Sequence, residues 1–339
     1  MRLLEPLLEA LRAESESVVV HSRVPAEPNI AAFEEALAVA RRLSPDAILG
    51  VGGGSVLDVA KLLAALGQSN KSIREVFGIN LLSGRRTGLV CLPTTSGTGS
   101  QVSPNAILLD ESDNLKKGVI SPHLVPDAAF VDPLLTLSLP RNMTAWTGLD
   151  ALVHCIEAFT NKFAHPMTDL YALEGIRLIS GSLERAVQHG EDVQARADMA
   201  RGSLYGGLCL GPVNTAAVHA LAYPLGSEFH VAHGLSNAVL LPHVLRFNLP
   251  AATERYARIA VEMGVPNSGG AEEIAARGIE HLADLSRRLG IPQHLAELGV
   301  PSSALPRMAK SAMTITRLLK NNPRELSEAD ALEIYQAAF

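Results

Sequence analysis

Three of the chain's eleven histidines, His219, His230 and His233, fall close together where a long apolar segment meets a turn. Imidazole is the commonest protein ligand for borderline divalent metals, so a metal centre is the first chemistry to test. Residues 216–223 read as a helix that Pro224-Leu225-Gly226 ends, which puts His219 on the helix and His233 just past the loop that follows. Ligands from two elements can then meet at one point. The best further pair lies upstream in Gly148-Leu149-Asp150-Ala151-Leu152-Val153-His154, where Asp150 and His154 stand four apart and share one helix face. One carboxylate and three imidazoles suit Fe(II) or Zn(II), with room for a substrate oxygen. Each residue also has an ordinary reading. A histidine on an apolar helix is more often packing, and an aspartate early in a helix favours its N-terminus.

A glycine-rich segment supports the joint reading. Gly52-Gly53-Gly54-Ser55-Val56-Leu57-Asp58-Val59-Ala60-Lys61 follows an apolar run at 46–51 that reads as a fully buried strand. Glycines between a strand and a helix let the backbone approach a phosphate, which the free N–H groups of the helix start can hold. The spacing is not the usual dinucleotide fingerprint, so this run alone is equally well a tight turn. A second buried strand at 88–92, however, runs into Pro93-Thr94-Thr95-Ser96-Gly97-Thr98-Gly99-Ser100, rich in hydroxyls and free of charge. Two such loops at the ends of two strands of one sheet suit the phosphates, ribose and amide of a nucleotide.

The elements that must position these loops alternate in type. Leu3, Leu4, Leu7, Leu8 and Leu11 recur at helical spacing, and residues 17–21 form a short β-branched run. Asn29 is placed to cap a helix whose apolar face is Ile30, Phe33, Leu37 and Ala40. Residues 106–109 and 117–120 read as a hairpin around Glu111-Ser112-Asp113-Asn114, with Lys117 a candidate ribose or phosphate contact, and 128–133 as the last strand. Strands alternating with helices imply a parallel sheet. Beyond Pro140 the chain is Ala- and Leu-rich with helical periodicity. Residues 1–140 are therefore expected to form an α/β nucleotide-binding domain and 141–339 an all-helical one, with the active site in the cleft between them.

Composition excludes several classes. The chain has 339 residues, 47% hydrophobic and 19% charged, which is globular and too long for one typical core. A net charge of -6, with no basic run longer than a pair, argues against nucleic acid as a partner. No apolar run reaches the ~18 residues of a membrane span, and the glutamates among the first nine residues break a signal-peptide pattern. Cys91, Cys155 and Cys209 are odd in number and far apart, which suits reduced thiols in the cytoplasm.

Taken in order, Gly52-Gly53-Gly54-Ser55 with Asp58 and Lys61, the 93–100 loop, Asp150 with His154, and His219 with His233-Gly234 strongly resemble the iron-containing (group III) alcohol dehydrogenase family. The likeness extends to the end of the chain, where residues 322–327 resemble the family's closing segment. It implies a dehydroquinate synthase-like fold, a Rossmann-like α/β domain followed by an all-α metal-binding domain. Carried over by position, it implies Asp150, His154, His219 and His233 as ligands of Fe(II) or Zn(II). Gly53, Gly54 and Ser55 would hold the pyrophosphate of NAD or NADP, and Thr94, Thr95 and Thr98 would line its phosphate and nicotinamide side. Asn29, Asn105, Lys117 and Leu135 are weaker candidates for cofactor contact, and Asp58 and Lys61 would support the loop. The reaction implied is hydride transfer between a small alcohol or aldehyde and nicotinamide C4. A homodimer or higher homo-oligomer is expected on general grounds, dimers being the commonest soluble oligomers.

Two departures from the family pattern stand out. Where many members carry a further histidine four residues after the third ligand, proposed to relay protons, this chain has Tyr223, with His230 as a possible substitute. Members also normally begin with another strand and turn, which includes the acidic residue that selects NAD over NADP, so the sheet is expected to have a bare edge near residues 18–20. Other reactions on the same scaffold are those of hydroxyacid-oxoacid transhydrogenase, which Tyr223 favours, and maleylacetate reductase, which the full ligand set disfavours. A reading of another class is a catalytically weak subunit or binding protein. Phe159, Phe163 and Leu208 are expected to line the substrate pocket.

Overall fold

A computed structural model describes residues 4–113 and 115–339; Leu3 and Asn114, assigned above to a helix and a hairpin turn, lie outside the described residues. The first leucine-rich segment forms α1 (Glu5–Glu14), and α2 (Ile30–Leu43) begins where expected, with the Asn29 side chain accepting a hydrogen bond from the Ala32 N–H at 2.8 Å. No strand forms at 17–21. Val19 and Val20 are exposed and pair with no strand among the described residues, since β-branched residues make a strand only where a partner edge is available.

β1 (Ala47–Gly52), α3 (Gly54–Leu66), a two-residue β2 (Gly78–Ile79) and β3 (Gly88–Pro93) follow. β1 and β3 pair in parallel from Ala47 opposite Gly88 to Gly52 opposite Pro93, so both glycine- and threonine-rich loops leave the same end of adjacent strands. β1 is less buried than its apolar run suggests, because it forms the outer strand of the order β1-β3-β6 and α3 covers only one side. The predicted hairpin is β4 (Asn105–Asp110) with β5 (Leu115–Ile120), antiparallel as expected, but it joins β2 in a second sheet of order β2-β5-β4. The last strand, β6 (Ala128–Ala129), is shorter than the 128–133 run because Pro133 starts a 3-10 turn.

Among the described residues, everything from Arg141 onward is helix, turn or loop: α4 (Arg141–Thr160), α5 (Pro166–Gln188), α6 (Val193–Leu210), α7 (Ala217–Phe229), α8 (His233–Glu262), α9 (Ala271–Arg288), α10 (Leu305–Ala312), α11 (Thr316–Leu319) and α12 (Glu328–Ala337). None of these helices is long and apolar enough to cross a membrane. α4 runs through the middle, packed on α5, α6 and α8, and every residue from Gly148 to Thr160 is buried. α7 does not end at Pro224. It continues to Phe229 and closes on His230 in the left-handed conformation, because a helix with buried Pro224, Leu225 and Gly226 packed on the core tolerates one missing N–H.

The threonine-rich loop is clamped onto the helical half. Gly99 has φ +62°, and a Cβ there would lie 2.3 Å from the Gly207 Cα of α6. Backbone meets backbone, so neither side can yield. Gly99→Ala is expected to destabilise the protein by about 2–4 kcal/mol through left-handed strain and overpacking, measurable as a lower urea midpoint at unchanged slope.

Candidate active site

α4 carries Asp150 and His154, both almost fully buried, and α7 brings His219 to meet them from the side. His233 is the first residue of α8, so its ring enters from a helix start rather than from a loop. Asp150 Oδ1 lies 3.6 Å from His219 Nε2 and 3.5 Å from His233 Nε2, and His219 Nε2 lies 3.0 Å from His154 Nε2. Donors about 2.1 Å from one ion at tetrahedral angles stand about 3.4 Å apart, so these spacings are those of a ligand set. The ligating atoms of Asp150, His219 and His233 all fall within 4.8 Å of one another.

Two residues not singled out from the sequence complete the cluster. Glu157, buried on the same face of α4, accepts from His219 Nδ1 at 2.7 Å and from the backbone N–H groups of Ala216 and Val218 at 2.9 and 2.6 Å. It therefore caps α7 and turns the His219 Nε2 lone pair toward Asp150. Asn237, fully buried one turn into α8, donates its amide to Asp150 Oδ1 at 2.7 Å and stands 3.2 and 3.3 Å from the Nε2 atoms of His219 and His233. Both lie at helical spacing from a candidate ligand, Glu157 three after His154 and Asn237 four after His233.

The charges fit a divalent cation. Burial lowers His154 and pushes His233 down to about 3, which keeps both imidazoles neutral with lone pairs available. Burial also works on His219, but Glu157 and Asp150 outweigh it and lift that ring to about 10. Burial would raise Asp150, yet the three imidazoles hold its carboxyl far below the usual range. Asp150 and Glu157 are the acidic groups facing these rings, and a divalent ion that takes the place of the His219 Nε2 proton would keep them compensated.

A cleft opens beside this cluster. His154, His219, His233 and Tyr223 line it from the helical half, and Gly54, Ser55, Asp58, Thr98 and Asn105 from the other. The α3 start is packed so closely on the threonine loop that a Cβ at Gly54 would lie 2.6 Å from the Thr98 side chain. Ser55 Oγ donates to the Ala26 carbonyl, and the buried Asn105 Oδ1 has no partner among the described residues. Asp58 accepts from Ser100 Oγ at 2.5 Å and from Ile107 N at 3.0 Å, and Lys61 donates to the Ser100 carbonyl at 2.9 Å, so the pair ties α3 to the second loop and β4.

Other candidates lie elsewhere. Asp150 sits behind the wall; Gly53, Thr94, Thr95 and Leu135 do not line the cleft, and the Asn29 side chain is occupied as the cap of α2. Lys117 faces away, bound to Asp110 and Asp113 at 2.7 and 2.5 Å, while its neighbour Lys116 reaches the cleft and pairs with Glu27 at 2.7 Å. Adjacent strand residues point to opposite faces, so one position of parity separates them. The expected pocket residues are also displaced: Phe159 is in the core, Phe163 and Leu208 are on the surface, and the cleft's apolar wall includes Ile107 and Leu210. His230 is an exposed helix cap, outside the cleft.

Two family models match the chain in succession, iron-containing alcohol dehydrogenase over residues 1–133 and the C-terminal part of the Fe-containing alcohol dehydrogenase family over residues 144–339. The chain belongs to the iron-containing alcohol dehydrogenase family. It is 44% identical to long-chain-alcohol dehydrogenase 1 of Geobacillus thermodenitrificans, over 99% of this chain and 86% of the relative. With the 1,3-propanediol dehydrogenase of Citrobacter freundii it shares 38% identity over 98% of this chain and 86% of that one. A crystal structure of a 1,3-propanediol oxidoreductase superposes with a TM-score of 0.96 at 36% identity, covering 99% of this chain and 88% of the other. As a member of this family the protein is an oxidoreductase, an alcohol dehydrogenase or aldehyde reductase, that works with a metal ion and an NAD(H)-type cofactor. The α/β region and helical region are the family's fold.

Proposed function

We propose that Asp150, His154, His219 and His233 hold one divalent ion, Fe(II) or Zn(II), and that NAD or NADP lies across the cleft with its phosphates at the start of α3. The observation that supports this most is the meeting, in one cleft, of the three imidazoles that converge on Asp150 and the glycine-capped helix start. When bound, the ion supplies Lewis acidity to the substrate oxygen.

The chain's own residues do the rest. Free N–H groups at Gly54 and Ser55 face phosphate, and Thr98 and Asn105 offer side-chain oxygens to the cofactor's ribose or amide. Lys116 takes the place first given to Lys117. The Tyr223 oxygen accepts from Arg317 Nη2 at 2.8 Å, which leaves its O–H free to serve the substrate oxygen as proton donor. Gly53, Thr94 and Thr95 support the loops from behind, with Thr95 Cγ2 3.3 Å from where a Gly53 Cβ would stand. We place the boundary between the two domains at residue 140, the enzyme in the cytoplasm in keeping with three free buried cysteines, and the assembly as a homodimer or larger homo-oligomer.

The test is oxidation of NADH and of NADPH with a series of aldehydes by the metal-loaded protein and by Gly54→Val, whose side chain would overlap Thr98 and push the threonine loop off the helix start. Turnover with one cofactor, together with loss of cofactor fluorescence enhancement in the variant, is the expected result. Turnover unchanged in Gly54→Val would contradict the placement of the cofactor.

A further inference from the structure

We propose that the cleft contains an anion-binding subsite built on Arg317, and that the substrates it selects are small aldehydes ending in a carboxylate, sulfonate or phosphate. The inference rests on the placement of metal and cofactor proposed above.

Arg317, on α11, lines the cleft alongside His219 and Tyr223, and also borders a hollow at the rim with Phe77 and Thr314. It is half-buried, and among the described residues it donates to the Tyr223 oxygen and no carboxylate pairs with it. The other cations of this wall are matched. Lys116 pairs with Glu27 at 2.7 Å, and the cleft's Asp58 is answered from behind by the buried Lys61 at 3.7 Å. Arg317 is thus the unbalanced charge of the cleft.

A guanidinium carries five N–H donors in a planar fork that fits a carboxylate or phosphate edge, and only one of them is spent on Tyr223. Tyr223 holds the fork in place, and the Arg317 guanidinium carbon lies 5.9 Å from the centre of its ring. The reach is set by α7. His219 and Tyr223 are one turn apart, about 5–6 Å between Cβ atoms, and the phenol extends further, so about two to four carbons would separate the carbonyl from the acid. Ile107 and Leu210 give that stretch apolar cover.

The experiment compares 4-oxobutanoate with butanal, equal in chain length, as substrates of the metal-loaded enzyme and of Arg317→Gln and Arg317→Lys. The parent is expected to prefer 4-oxobutanoate in kcat/KM. Arg317→Gln should lower that preference about 10- to 100-fold, the worth of a charge-assisted hydrogen bond, mainly through KM, and Arg317→Lys should restore part of it. Melting temperatures and metal contents show that the variants fold. Equal use of both aldehydes by the parent, or a preference unmoved in Arg317→Gln, would overturn the subsite. Inactivity on both would instead strike at the proposed placement of metal and cofactor; calorimetry with succinate then decides the subsite alone, binding lost in Arg317→Gln supporting it and no binding to the parent refuting it.

Discussion

Lys61→Met is expected to destabilise the fold by about 3–5 kcal/mol, the cost of leaving one charge of a buried pair without its partner. Lys61 is completely buried, and its ammonium is held by the Ser100 carbonyl, the Ser100 and Ser103 hydroxyls and the Asn105 carbonyl, at the junction of α3, the threonine loop and β4. Burial pushes Lys61 down and Asp58 up, and the attraction between them opposes both. Methionine would fill the volume but leave Asp58 without its cation and those four oxygens without the ammonium that donates to them. The loss reads directly as a lower denaturant midpoint. Because the same oxygens shape the cleft wall, cofactor affinity should fall with it. A variant as stable as the parent would show that these groups rearrange freely and that the junction is not a fixed frame.

The second large effect is on metal affinity. Glu157→Gln should weaken metal binding about 10- to 100-fold, as for other carboxylates that orient a ligating imidazole, measured by competition with a chelator. Glu157 touches the proposed ion only through His219, so it is a positioning residue. Its carboxylate both fixes the ring and draws positive charge to it, and an amide keeps the first role in part while losing the second. Glu157→Ala should do more. It would strand the Ala216 and Val218 N–H groups and loosen the start of α7 as well. Melting curves separate the two, since only the alanine variant should unfold appreciably earlier.

The parts of this site that were legible in the sequence are those that follow from period. Asp150 and His154 at i,i+4, the glycines between strand and helix, and the hydroxyl-rich second loop all express local geometry, and each is where its spacing puts it. Glu157 and Asn237 share the same helical spacing, but their role depends on α7 and α4 meeting them from elsewhere in the chain. Lys116 and Lys117 differ only in strand parity, which the pairing of β5 with β4 decides. Pro224 shows the reverse: a local stop signal overridden by burial of the whole α7 face. The apolar guesses Phe159, Phe163 and Leu208 failed for a related reason, since hydrophobicity alone does not distinguish core, surface and cleft.

The most direct test of the account is the metal content of anaerobically purified protein, for the parent and for His219→Ala. The four-ligand centre predicts iron or zinc near one equivalent in the parent and little in the variant, with both chains folded by circular dichroism. A parent that takes up no metal after reconstitution, or a variant that holds as much as the parent, would contradict it.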